Sequence, residues 1–169
     1  GRSETDRVAS ASKTNLPYQH VPLIGREEEL KTLRKLLLQE GTDLLTITGP
    51  SGIGKTRLAL QVAGNVFKDF EDGVFFIPLA SITNPDLVTA TITQALGLKV
   101  GENQPGVELL KRSLRDKQML LVLDNFEQVI AAAPLLGELL TAAPDLKILV
   151  TSQAVLHLYG EHEFNVPPL

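Results

Sequence analysis

Leu44-Leu45-Thr46-Ile47-Thr48-Gly49-Pro50-Ser51-Gly52-Ile53-Gly54-Lys55-Thr56-Arg57-Leu58-Ala59 reads as a strand, a glycine-rich turn and the opening of a helix. The strand is Leu44–Thr48, the turn runs from Gly49 to Gly54, and the helix opens at Lys55. A backbone that curls so tightly, with its N–H groups turned inward, passes through conformations that a Cβ obstructs, hence the glycines. Inward N–H groups next to a helix N-terminus make an anion site. In this pattern Lys55 supplies a point charge for the β- and γ-phosphates of a polyphosphate, and the Thr56 hydroxyl is placed to ligate Mg²⁺. The whole run Gly49, Pro50, Ser51, Gly52, Ile53, Gly54, Lys55, Thr56 and Arg57 is therefore the expected phosphate-contacting segment.

Outward from this loop, short apolar runs alternate with helical stretches, which points to an α/β fold with a parallel sheet covered by helices. Strands are expected at Leu44–Thr48, Val74–Leu79, Leu120–Asp124, Lys147–Thr151 and Glu163–Val166. Most are continuously aliphatic rather than alternating, as suits strands buried on both faces. Helices are expected at Arg26–Gln39, Lys55–Lys68, Asp86–Leu96 and Glu108–Arg115, with another over Phe126–Ala143 broken near Pro134. Residues 1–14 lack apolar periodicity and read as a disordered linker or a remnant of cloning, leaving 15–169 as one domain. The final Pro167-Pro168-Leu169 reads as a boundary within a longer protein.

Leu120-Leu121-Val122-Leu123-Asp124-Asn125 is the second informative run. An apolar strand that ends in aspartate puts a carboxylate at the C-terminal edge of the sheet, where ligands of open α/β sheets bind. There Asp124 can position Mg²⁺, through water, as the second metal-directed group. It can equally be a turn or helix-capping residue. Thr151-Ser152, at the end of another strand, carries hydroxyls that could sense a γ-phosphate or cap the next turn.

Composition bounds the alternatives. The 169 residues include 16 Lys and Arg against 20 Asp and Glu, a net charge of −4. That balance gives no drive to non-specific nucleic-acid binding, so no direct nucleic-acid contact is expected. The absence of cysteine excludes disulfides and thiolate metal sites, and the three histidines are scattered. The longest apolar run, Met119–Leu123, is far short of the roughly 20 residues needed to span a bilayer, and no N-terminal apolar segment suggests secretion. A cytoplasmic location is expected.

With these residues in view, the sequence resembles the STAND class of signal-transducing ATPases. It is most similar to the nucleotide-binding domain of AfsR- and LuxR-type bacterial transcriptional regulators, relatives of the NB-ARC domains. The matching pieces are Asn15-Leu16-Pro17, Leu23-Ile24-Gly25-Arg26-Glu27, the Walker A segment through Gly54–Ala59, and Asp72-Gly73-Val74-Phe75-Phe76. Gln94–Leu98, Leu123-Asp124-Asn125-Phe126-Glu127, Leu149-Val150-Thr151-Ser152, Gly160-Glu161 and Val166–Leu169 continue the match. The resemblance implies a P-loop NTPase three-layer sandwich of strand order 2-3-4-1-5, with the Thr151 strand between the phosphate-loop strand and the Asp124 strand. It implies ATP or ADP with Mg²⁺ as ligands, Ile24 against the adenine base and Arg26 near it. It also implies partners: downstream domains of the same chain, including a helical lid and a winged helix, and self-assembly in the ATP state.

Two positions depart from that pattern. Asn125 stands where many P-loop ATPases carry a second carboxylate to orient the attacking water, so fast hydrolysis is not expected. Glu127 could substitute as a catalytic acid beside Asp124, or serve only as a first-turn helix residue. Gln153 replaces the arginine that usually follows Thr-Ser, and no arginine occurs after Arg115. The reading that results is a nucleotide-dependent switch. Its rivals are an actively hydrolysing AAA+-like ATPase, which would be expected to carry a catalytic acid and an arginine finger, and a small-molecule kinase with an Arg-rich lid.

Overall fold

The structure is a computed structural model that describes residues 14–17 and 25–167. Its centre is a five-stranded parallel sheet: β1 (Leu44–Thr48), β2 (Val74–Pro78), β3 (Leu120–Asp124), β4 (Lys147–Ser152) and β5 (Glu161–Asn165). The spatial order is β2-β3-β4-β1-β5. β1 is thus flanked by β4 and β5, with Thr48 level with Ser152 on one side and Asn165 on the other. Every residue of β1 and β3 is buried, which is why these runs are aliphatic without alternation.

Helices cover both faces. On one side lie α1 (Glu27–Leu38) and α2 (Lys55–Asn65). Leu33 and Leu37 of α1 and Leu58, Ala59 and Val62 of α2 pack on Leu45, Ile47, Val122 and Leu149. On the other lie α3 (Val88–Ala95), α4 (Gly106–Leu114) and α5 (Ala133–Ala142). Ile92, Leu110, Leu114, Leu136 and Leu139 there pack on Leu44, Leu121, Ile148 and Val150. Burial of these side chains, each Leu, Ile or Val contributing about 1.5–3 kcal/mol, holds the three layers together. This is the P-loop NTPase sandwich in the strand order expected.

Differences from the sequence reading are local. β5 begins two residues earlier than expected, at Glu161, because its residues are mostly polar and none is fully buried, so they give no aliphatic signal. α4 begins at Gly106 rather than Glu108; a Cβ at Gly106 would lie 2.9 Å from Thr89 Cγ2, so glycine permits the close approach of α3. The stretch after β3 is a 3₁₀ segment, Phe126–Ala132, kinked at Val129, followed by α5. Pro134 sits in the first turn of α5, where a missing N–H is harmless, so it starts a helix rather than breaking one.

Thr14, assigned to the linker by sequence, forms an isolated parallel bridge with Val74. Beside it the Asn15 carboxamide brackets Phe76 of β2: Phe76 N–H donates to Asn15 Oδ1, and Asn15 Nδ2 donates to the Phe76 carbonyl at 2.8 Å. The rest of the expected linker, residues 1–13, lies outside the described residues. Among the described residues no helix is long and apolar enough to cross a membrane.

Candidate functional site

The phosphate loop leaves β1 at its buried C-terminal end and enters α2 directly. Gly49 (φ 150), Gly52 (φ 80) and Gly54 (φ 91) adopt backbone conformations that L side chains rarely take, and Gly54 is the residue before the first turn of α2. Lys55, only 7% exposed, folds back over the loop. Its Nζ donates to the carbonyls of Gly49 at 2.6 Å and Pro50 at 3.0 Å.

Three of the expected residues meet at the next position. Thr56 Oγ1 donates to Asp124 Oδ1 at 2.8 Å, and Thr151 Oγ1 donates to the same oxygen at 2.6 Å. Asp124 is 5% exposed and Thr151 is fully buried. Thr151 in turn accepts the Asn125 backbone N–H at 2.9 Å, and Asn125 takes a left-handed turn at φ 63. The strand order makes this convergence: β4 lies between β1 and β3, so its C-terminal hydroxyl reaches the carboxylate at the end of β3 while α2 presents Thr56 from above.

Ser152 is buried, and its Oγ accepts the Ala154 N–H at 3.4 Å. Both hydroxyls of the Thr-Ser pair therefore have structural partners. Gln153 is exposed and reaches the phosphate loop itself, donating from Nε2 to Ser51 Oγ at 2.7 Å. Glu127 lies in the first turn of the 3₁₀ segment after β3, and its Oε2 is buried with no hydrogen-bond partner among the described residues. Arg57, the third residue of α2, is exposed.

On the side expected for the base, Ile24 lies outside the described residues. Arg26 is buried to 3% exposure. Its Nη1 donates to the Pro167 carbonyl at 2.8 Å and approaches Glu29 Oε1 at 3.5 Å, while Nη2 approaches the Ile53 carbonyl at 3.4 Å. The sequence reading missed the polar ladder between β1 and β5. Thr46 Oγ1 donates to Glu161 Oε2 at 2.5 Å and Thr48 Oγ1 to Glu163 Oε2 at 2.6 Å, and Asn165 Nδ2 donates to Thr48 Oγ1 at 3.1 Å. The signal was present in the alternation Glu161-x-Glu163-x-Asn165 against Thr46-x-Thr48, since alternate residues share a sheet face.

Three clefts lie away from the phosphate loop. One of about 730 Å³ is bounded by Asp43, Lys111, Glu138 and Tyr159. None contains a residue of the phosphate loop or Asp124.

Residues 23–151, from the start of the Gly-Arg segment through the phosphate loop and Asp124 to Thr151, match the profile of ATPase_2, an ATPase domain predominantly from Archaea. The chain belongs to the ATPase_2 family. This ATPase_2 domain is 40% identical over 138 residues to a Mycobacterium tuberculosis protein named as an HTH-type transcriptional regulator, covering 81% of the chain and 15% of that protein. It spans 37% of the length of other mycobacterial relatives that it also matches. Its fold is similar to that of the Aeropyrum pernix ORC2 protein, with TM-score 0.61 and 19% identity over 89% of this chain and 50% of the other. It is similar too to the STAND protein with a tetratricopeptide repeat sensor from Pyrococcus horikoshii, with TM-score 0.55 and 18% identity over 88% of this chain and 24% of that one. The likeness to STAND-type P-loop ATPases expected from sequence is met by this ATPase_2 domain.

Proposed function

We propose that this ATPase domain binds ATP and ADP with Mg²⁺ through Lys55, Thr56 and Asp124, and serves as a slowly hydrolysing switch within a longer regulatory protein. The observation that carries the reading is the convergence of the Thr56 and Thr151 hydroxyls on Asp124 Oδ1, next to a glycine loop closed over by Lys55. Hard oxygen donors in that arrangement suit Mg²⁺, which keeps several waters and takes one or two carboxylates together with phosphate oxygens. Among the described residues no group of three His, Cys, Asp or Glu side chains could hold a metal unaided. A cation here would therefore depend on Thr56, on Asp124 and on the nucleotide's own phosphates. When bound, Mg²⁺ would neutralise charge on the phosphate oxygens.

The chain's own residues divide the remaining work. The N–H groups of the loop and the start of α2 face the anion, Lys55 adds a full charge, and Thr151 holds Asp124 in place. Asn125 offers no carboxylate beside Asp124 to act as a base, which supports slow turnover. The kinship with a transcriptional regulator supports a place in signalling, with further domains of the same chain as partners and assembly of copies as the ATP-state output. The ADPNP–ADP complexes of the Aeropyrum pernix protein support nucleotide as the ligand of this fold. We assign residues 15–169 to the nucleotide-binding domain, and a cytoplasmic location follows from an ATP-dependent role.

Calorimetric titration with ADP and ATP tests the reading. Lys55→Ala should lose most affinity for both, and equal ADP affinity in the two proteins would defeat it. The second reading, an actively hydrolysing AAA+-like ATPase, is favoured by the buried, unpartnered Oε2 of Glu127 near Asp124 in sequence. Single-turnover hydrolysis separates the two: an enzyme turns over at about 1 per second or faster.

A further inference from the structure

A loop that turns its N–H groups inward turns its carbonyls outward, and buried carbonyls need donors. In this phosphate loop two side chains supply them. Lys55 Nζ donates to the Gly49 and Pro50 carbonyls, whereas the Ile53 carbonyl faces Arg26 Nη2 at 3.4 Å. Lys55 must share its three donors with any phosphate it binds; Arg26, 3% exposed, lies within the protein.

Arg26 is anchored on its other side. Its own carbonyl accepts the Leu30 N–H at 2.9 Å and so begins α1. Its Nη1 donates to the Pro167 carbonyl at 2.8 Å, 141 residues away, in the segment that leaves β5. That exit segment touches the loop directly. Val166 N–H donates to the Thr48 carbonyl at 2.9 Å, and a Cβ placed on Gly49 would lie 3.7 Å from Val166 Cβ.

We propose that Arg26 is a positioning residue that braces the phosphate loop against the Val166–Pro167 exit segment, rather than a reader of the nucleotide base. A planar guanidinium suits this task because its donors point along fixed, divergent directions, which a lysine ammonium does not reproduce. The brace makes the curvature of the loop and the position of the exit segment one mechanical unit, so that filling the loop with phosphate tightens the chain beyond β5. The inference rests on the phosphate-binding reading of the Gly49–Thr56 loop.

The test is titration of the unaltered chain, Arg26→Lys and Arg26→Gln with Mg²⁺-pyrophosphate, Mg²⁺-ADP and Mg²⁺-GDP. Both variants should lose about tenfold in pyrophosphate affinity, the order expected for one charge-assisted hydrogen bond. ADP and GDP should weaken by the same factor, leaving their ratio unchanged. Unaltered pyrophosphate affinity combined with weakened ADP affinity would overturn the brace and make Arg26 a base contact. Should the variants not fold, hydrogen exchange on the unaltered chain decides: pyrophosphate alone should slow exchange of the Val166 amide, and an unchanged rate overturns the proposal. Failure of the unaltered chain to bind either pyrophosphate or ADP would instead remove the phosphate-site reading, and the brace with it.

Discussion

Gln153 and Ser51 are joined by a hydrogen bond of 2.7 Å that ties the end of β4 to the phosphate loop across 102 positions of sequence. The contact puts a neutral amide where the resemblance described above leads one to expect a guanidinium. Charge-assisted hydrogen bonds contribute about 1.5–3 kcal/mol against roughly 1 for neutral ones. Gln153→Arg is therefore expected to raise the preference for ATP over ADP by about tenfold. Affinities for both nucleotides, measured at one salt and Mg²⁺ concentration, check this; an unchanged ratio would mean that the side chain does not face the terminal phosphate.

Thr151 accepts the partly buried Asn125 N–H and donates to Asp124, and both Thr151 and Asp124 are buried. Thr151→Val keeps the shape and removes both bonds, leaving a backbone donor without a partner. The expected cost is about 1–3 kcal/mol of stability. For a domain of this size that is a fall of several degrees in Tm, on the order of 2–4 °C per kcal/mol. Thr151→Ser should recover most of it. A thermal melt in which Val matched the unaltered chain and Ser did not would contradict the hydrogen-bonded role.

Glu161 organises the connection from β4 to β5. Its carboxylate accepts Thr46 Oγ1, the Leu156 N–H at 2.8 Å and the His157 N–H at 2.9 Å. His157 is one of two non-glycine residues at positive φ among the described residues, and these bonds fix the turn around it. Glu161→Gln replaces one accepting oxygen with a donor, so one of these partners must be lost. Faster hydrogen exchange at Leu156 or His157 is expected, with core strands unaffected; unchanged exchange at both would disprove the carboxylate's part.

Lys147 has a shifted acidity. Desolvation by burial lowers its pKa from the ordinary 10.5, partly opposed by the Asp43 charge. Its Nζ donates to the Leu37 carbonyl at 2.6 Å and the Gln39 carbonyl at 3.0 Å, at the C-terminal end of α1. A lowered lysine pKa means that the unfolded chain holds more protons between the folded value and 10.5. The penalty is fully present below the folded value, and stability rises with pH across that window. Chemical denaturation at a series of alkaline pH values should show this rise, and Lys147→Met should abolish it.

Much of the fold is legible because buried parallel strands are aliphatic throughout and glycine marks the phosphate turn. Asp124 is legible for the same reason, as the first charge after four aliphatic residues. Only the start of β5 escapes, because an edge strand buries little and Glu161 and His162 resemble a loop. The meeting of Thr151 with Asp124 depends on which strands are neighbours, which periodicity along one strand does not encode. Gln153 with Ser51, and Arg26 with Pro167, are longer-range still: each joins side chains through the fold, and neither partner carries a local signal of the other.

The Asn15 carboxamide on Phe76 has a consequence for how the molecule meets copies of itself. A carboxamide has the same donor and acceptor as a peptide group, so Asn15 satisfies one outward-facing backbone unit of β2 as a sixth strand would, without being one. Unpaired strand edges invite foreign strands, and proteins blunt them with short plugs, charges or kinks. Here the plug is one side chain, set beside the backbone bridge of Thr14 to Val74. Asn15→Leu would free the Phe76 unit of that edge, leaving the Thr14 bridge to Val74 and the brevity of β2 to oppose pairing with a strand of another copy.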